Sequence, residues 1–167
     1  MEEYHKIEET KEWIHNFIIH YNICPFAKRV VDQQEVGYYV ERGNNIELLI
    51  LSFISKLKTE KISTFFLLYL TQFPDYLDFL DFYYTCEAIL ADSEFDAEYQ
   101  VVAFHPEYLF AGEDPKDPSH KTNRSPYPMI HVLRIDQVEK AIEAHGDTDE
   151  IPKRNIELLR KLANKET

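Results

Sequence analysis

Glycine is scarce: the 167-residue chain has four, and none forms a Gly-x-Gly pattern. That argues against a phosphate-cradling glycine loop and a nucleotide held by one. Cysteine is scarcer still. Cys24 and Cys86 alone provide no disulfide framework, and two thiols suit a reducing compartment. No apolar run approaches the roughly 20 residues of a membrane span. The longest, Phe65 to Leu70, is strand-sized. The N-terminal segment is charged and lacks the apolar core of a secretory signal, so a cytoplasmic protein without membrane attachment is expected. Basic residues are the minority, 18 Lys and Arg against 30 Asp and Glu, giving a net charge of −12 and a pI near 5.0. Such a field repels nucleic acid and anionic membranes, so no nucleic-acid partner is expected. Neither His-Glu-x-x-His nor Cys-x-x-Cys occurs, so no compact zinc module is encoded.

Apolar and aromatic residues are plentiful. They make up 44% and 14% of the chain, with eleven Tyr and eleven Phe. A length of 167 residues suits one globular domain, residues 1–167, with a substantial core. Helical spacing of Tyr4, Ile7, Ile14, Ile18 and Tyr21 predicts a first helix over Glu3–Tyr21, closed by Asn22. Pro25 then suits the first position of another helix and places Cys24 at or beside its N-cap. Val36–Val40 reads as a strand. Ile46, Leu49, Ile50, Phe53, Ile54 and Leu57 mark one face of a helix. Ser63–Leu70 is almost wholly apolar, as a central strand buried on both faces must be. Asp75 or Asp78 is expected to cap a helix reaching about Leu90, with Cys86 in the core. Tyr99–Phe104 and Met129–Leu133 read as the third and fourth strands. Asp136 with Glu139 resembles a capping box, Gly146 ends that helix, and Pro152 opens the last one. The expected fold is α/β or α+β: a four-stranded mixed sheet packed with about five helices. Its first three strands are joined by crossovers that favour parallel neighbours, and its fourth is free to run antiparallel.

Candidate chemistry lies in Phe104–Arg134, which holds three of seven histidines and five of eight prolines. A long irregular loop joins its two strands, and loops of that length are usually functional or disordered. His105 ends the third strand, the end at which α/β sheets bind ligands, and is a candidate acid, base or metal ligand. His120, Thr122, Asn123, Arg124 and Ser125 form the candidate binding segment. Arg124 offers a planar fork for a carboxylate or phosphate, and Pro126 and Pro128 would hold the segment ready. The competing reading is an ordinary turn in which Arg124 pairs with Glu113, Asp114 or Asp117. His131 alternates with Met129 and Leu133 on one strand face, where it is either a satisfied core residue or a second acid–base group facing His105. Cys24 is a candidate nucleophile if helix N–H groups, Lys28 and Arg29 lower its pKa; otherwise it is a buried thiol beside Phe26. A metal would require Cys24, His105, His120 and His131, or a subset with Asp114 or Asp117, to converge.

The strings Ile23–Ala27 (ICPFA), Phe104–Tyr108 (FHPEY) and Thr122–Met129 (TNRSPYPM) occur together, with Trp13 before them and Ile151-Pro152 and Arg154-Asn155 after them. In these pieces the chain resembles the Domain of Unknown Function 1415 family over nearly its whole length. The resemblance implies that the segments serve one design and brings no catalytic assignment with it.

Two readings follow, and the first is the one favoured, because a His, Arg and Cys combination is commoner in catalysis than in passive scaffolds. In one, a small enzyme binds an anionic metabolite through Thr122–Pro128, with His105 or His131 moving a proton and Cys24 as nucleophile. It requires Arg124 and His105 to lie on the same side of the molecule. In the other, the loop is a non-catalytic platform for a ligand or protein, and His120, Asn123 and Arg124 direct their hydrogen bonds to its own backbone. A metal-binding protein is a variant of the second. Cofactor and oligomeric state are left open by the sequence.

Overall fold

The computed structural model describes residues 2–165. Helix α1 covers Glu2–Trp13 and continues as a π-helical stretch over Ile14–Ile19, where the expected single helix widens. Asn22 closes it at φ +53°, a left-handed conformation that Asn tolerates. A short helix follows, α2 (Ala27–Asp32), and then strand β1 (Val36–Glu41). Helix α3 (Ile46–Thr59) is capped by Asn45, whose side chain accepts the Leu48 N–H. Strand β2 is Thr64–Tyr69. Asp75 caps α4 (Tyr76–Ala91) by accepting the N–H groups of Leu77 and Asp78. Strand β3 (Tyr99–Phe104) leads into the long loop, which contains a 3-10 turn over Pro118–Thr122. Strand β4 (Met129–Arg134), α5 (Ile135–His145) and α6 (Glu150–Ala163) complete the chain. No described helix is long and apolar enough to cross a membrane.

Three local expectations are corrected. The helix expected to open at Pro25 begins after Phe26 and covers Ala27–Asp32, one of six α-helices among the described residues. Asp136 does not cap α5. Strand β4 passes directly into the helix at Ile135, and Asp136 pairs instead with Lys140 at 3.1 Å. The cap position falls to Arg134, whose guanidinium is already bonded to the carbonyls of Glu60 and Ile62 and to the Tyr99 hydroxyl. Helix α6 starts at Glu150, and Pro152 sits within its first turn, where no intrahelical N–H bond is lost.

The sheet order is β1-β2-β4-β3, with β1 parallel to β2 and β4 antiparallel to both of its neighbours. The architecture is α+β, a mixed sheet with helices on both faces. All six residues of β2 are buried, and their alternation feeds two cores. Phe65, Leu67 and Tyr69 join Leu49 and Phe53 of α3 and Phe79, Phe82 and Cys86 of α4. Phe66 and Leu68 join Ile14, Ile18, Met129 and Leu159 on the other face, with Trp13 against them. One antiparallel β4 between two strands that run the other way carries the loop 105–128 across one end of the sheet.

Candidate functional site

His105 leaves β3 and turns into the core formed with α4. It is 1% exposed, packed against the rings of Tyr76 and Phe79. Its Nδ1 accepts the Glu107 N–H at 3.0 Å. The proton is therefore on Nε2, which donates to the Phe73 carbonyl at 3.0 Å. This neutral tautomer is bonded to backbone at both nitrogens. His120, at 0% exposure, repeats the arrangement: Nδ1 accepts the Phe110 N–H (3.0 Å) and Nε2–H donates to the Asp114 carbonyl (2.8 Å). Buried backbone groups must be paired, and a long loop has no ladder to pair them. Two imidazoles, each joining a donor to an acceptor, meet that need here.

The segment after the 3-10 turn docks on the turn after β3. The His105 N–H donates to the Asn123 carbonyl (3.2 Å), and Asn123 Nδ2 donates to the Ala103 carbonyl (3.0 Å). Thr122 Oγ1 donates to the Ser119 carbonyl and Ser125 Oγ to that of Tyr127. Arg124 is half-buried, and its Nε donates to the Tyr108 carbonyl at 3.1 Å. Its two terminal nitrogens have no partner among the described residues. The acidic groups expected to neutralise it lie elsewhere. Asp117 takes Arg160 of α6 in a bidentate pair, with Nη2 at 2.7 Å, and Glu113 lies 3.7 Å from the same guanidinium. That pairing holds the Asp117 carboxyl well below the usual carboxylate range. At the far end of the loop the Tyr127 hydroxyl bonds the Glu9 carboxylate, and Lys6 lies over its ring.

His131 projects from the opposite sheet face. Its ring stacks on Phe66 at 4.0 Å, and Phe66 stacks on Tyr38, a three-ring pile across β4, β2 and β1. Thr64 Oγ1 donates to the Val132 carbonyl (2.9 Å) and so accepts from His131 Nε2 at 2.5 Å. Desolvation pushes the His131 pKa down to about 3. Cys24 belongs to the same side, half-buried at the edge of that core. Burial pushes its thiol up, outweighing the Phe26 and Ala27 N–H groups that point at the sulfur. Cys24 stands two residues before the N-cap Phe26, not at or beside the cap as expected, and the N–H groups that reach it have the smaller effect.

The structure thus brings His105, Asn123 and Arg124 together and leaves His131 and Cys24 on the other face. No hydrogen bond or ring contact joins Cys24, His105 and His131 to one another among the described residues. Nor does any group of three or more His, Cys, Asp or Glu among those residues form a metal-binding cluster. Sequence reasoning missed what holds the Cys24 turn. Arg154 bonds the Asn22 carbonyl, and buried Asn155 donates to the Ile23 carbonyl at 2.8 Å. A signal was present: Asn155 stands at helical spacing with Leu159 and Leu162, a polar residue on the apolar stripe of α6.

A family model described as Protein of unknown function (DUF1415) matches residues 5–167. No curated protein and no solved structure matches the chain.

Proposed function

We propose that this chain, which belongs to the DUF1415 family, is a non-catalytic binding domain of the cytoplasm that takes an anionic group, carboxylate or phosphate, on Arg124. One observation carries the reading. His105, His120, Thr122, Asn123 and Ser125 direct their side-chain hydrogen bonds to loop and strand backbone, whereas Arg124 is anchored through Nε with its terminal nitrogens unpaired. Histidines fixed in this way build the platform; they have no nitrogen left for a substrate proton. A half-buried guanidinium held by one backbone bond is oriented before any ligand arrives, which lowers the ordering cost of binding. Two free cysteines agree with a reducing compartment.

Thermal unfolding in graded phosphate or citrate, against sodium chloride at equal ionic strength, tests the proposal. The melting temperature of the native chain is expected to rise saturably. Arg124→Gln, which gives up the bond to the Tyr108 carbonyl, is expected to melt slightly lower without ligand and to lose the rise. His120→Ala is expected to cost about 1–3 kcal/mol, since it removes a buried ring and leaves the Phe110 N–H and the Asp114 carbonyl without their partner. An equal anion response in Arg124→Gln would overturn the proposal.

A further inference from the structure

We propose that the free edge of β1 docks an extended, net-basic segment of a partner protein by strand addition. The two edges of the sheet differ. At β3 the register with β4, fixed by the Ile135 N–H on the Glu98 carbonyl, turns Tyr99, Val101 and Ala103 outward. That edge is sealed by side chains: Tyr83 donates to the Val101 carbonyl at 3.1 Å and Asn123 to the Ala103 carbonyl at 3.0 Å. At β1 the Thr64 N–H donates to the Glu35 carbonyl, so Gly37, Tyr39 and Glu41 face β2 while Val36, Tyr38 and Val40 turn their backbone groups outward. Among the described residues no side chain hydrogen-bonds the backbone N–H or carbonyl groups of those three. The strand has no proline and no lysine, two devices by which exposed edges are usually blunted.

The space beside this edge is shaped to hold a chain. A groove of about 520 Å³ runs along Tyr38–Arg42, with Glu3 and Ile7 of α1 on one wall and Leu48, Ser52 and Lys56 of α3 on the other. A bidentate Arg42–Glu3 pair, at 2.7 and 2.8 Å, joins β1 to α1 there. The α3 wall presents an apolar side chain to water: Leu48 is 62% exposed. A strand added to an edge places alternate side chains against such a wall.

The occupant is a different protein rather than a second copy. Antiparallel pairing of two β1 edges about Tyr38 sets Glu35 of one copy opposite Glu41 of the other, and like charges in register are destabilising. Each copy also carries a net charge of −12. The same charge attracts a basic segment and speeds its encounter.

The probe is a displayed library of nine-residue peptides, with alternate positions restricted to Val, Ile or Tyr and the others to Lys, Arg, Ser or Thr. Peptides enriched on the native chain are expected to bind Val40→Pro and Leu48→Glu at least tenfold more weakly. Proline at an outward N–H removes the docking donor and leaves the β2 ladder whole, and Leu48→Glu changes only an exposed wall. The bound peptide is also expected to slow hydrogen exchange at Val36, Tyr38 and Val40. Failure to enrich any peptide, or equal binding to both variants, would overturn the proposal. So would concentration-dependent dimerisation that Val40→Pro abolishes, which would assign the edge to a second copy.

Discussion

At the scale of single residues, His105 and His120 serve this chain as bridges between a backbone donor and a backbone acceptor. His105 and His120 each accept a backbone N–H at Nδ1, which requires a neutral ring. His131 is kept neutral by desolvation, and its effect on stability has a definite sign. Its folded pKa of about 3 lies below the ordinary value of 6.5. The unfolded chain therefore takes up the proton first, and the contribution of this group is whole above pH ~6.5 and is lost progressively as the pH falls toward ~3. His131→Phe keeps the stack on Phe66 and removes the titration. Urea midpoints measured from pH 7 to 4 are expected to fall less steeply in that variant than in the native chain. Parallel curves would show that His131 is not a source of the acid sensitivity.

Among the elements, α6 does more than its amphipathic stripe suggests. Leu159 enters the core behind β2 and β4, while polar residues of the same helix hold two separate segments. Asn155 and Arg154 fasten the Asn22–Ile23 turn, and Arg160 holds Asp117 at the start of the 3-10 turn. The surface pair is worth little, since Arg160 is 49% exposed. The buried amide matters more. Asn155→Ala leaves the Ile23 carbonyl unpaired, with an expected cost of about 1–3 kcal/mol. It is also expected to speed Cys24 labelling by a thiol reagent in native buffer, because the turn bearing the thiol loses its anchor. Unchanged labelling together with a lowered denaturant midpoint would mean that Arg154 alone keeps the turn in place.

For the whole molecule the central feature is a strand shared by two cores. Phe65 and Leu67 belong to the core under α3 and α4, and Phe66 and Leu68 to the one under α1 and α6. Neither core can lose its wall while the other keeps it, so the chain is expected to unfold as one cooperative unit. The sequence provides one reporter on each face: Trp13, the only tryptophan, packs on Phe104, and Cys86 is fully buried against α4's core. Urea titrations followed by Trp13 fluorescence and by Cys86 thiol protection are expected to share a midpoint. Separate midpoints would divide the domain.

The stretches 64–69, 99–104 and 129–134 were legible as strands, and the buried character of β2 was legible in its unbroken apolar run, because burial and strand geometry leave their pattern in neighbouring residues. The α4 cap was legible to within two aspartates, Asp75 or Asp78, for the same reason: a cap acts within three residues. The strand order was not, nor was the partner of any loop side chain. Arg124 stands seven residues from Asp117 in sequence, yet Asp117 is taken by Arg160, 43 residues away. His105 and His131 looked able to converge, and the parity of β3 and β4 sends them to opposite faces. Local sequence determines which residues are apolar and where the backbone can turn. Which charge is neutralised, which histidine is enclosed and which sheet edge stays open depend on groups distant in sequence, and only the assembled tertiary structure decides them.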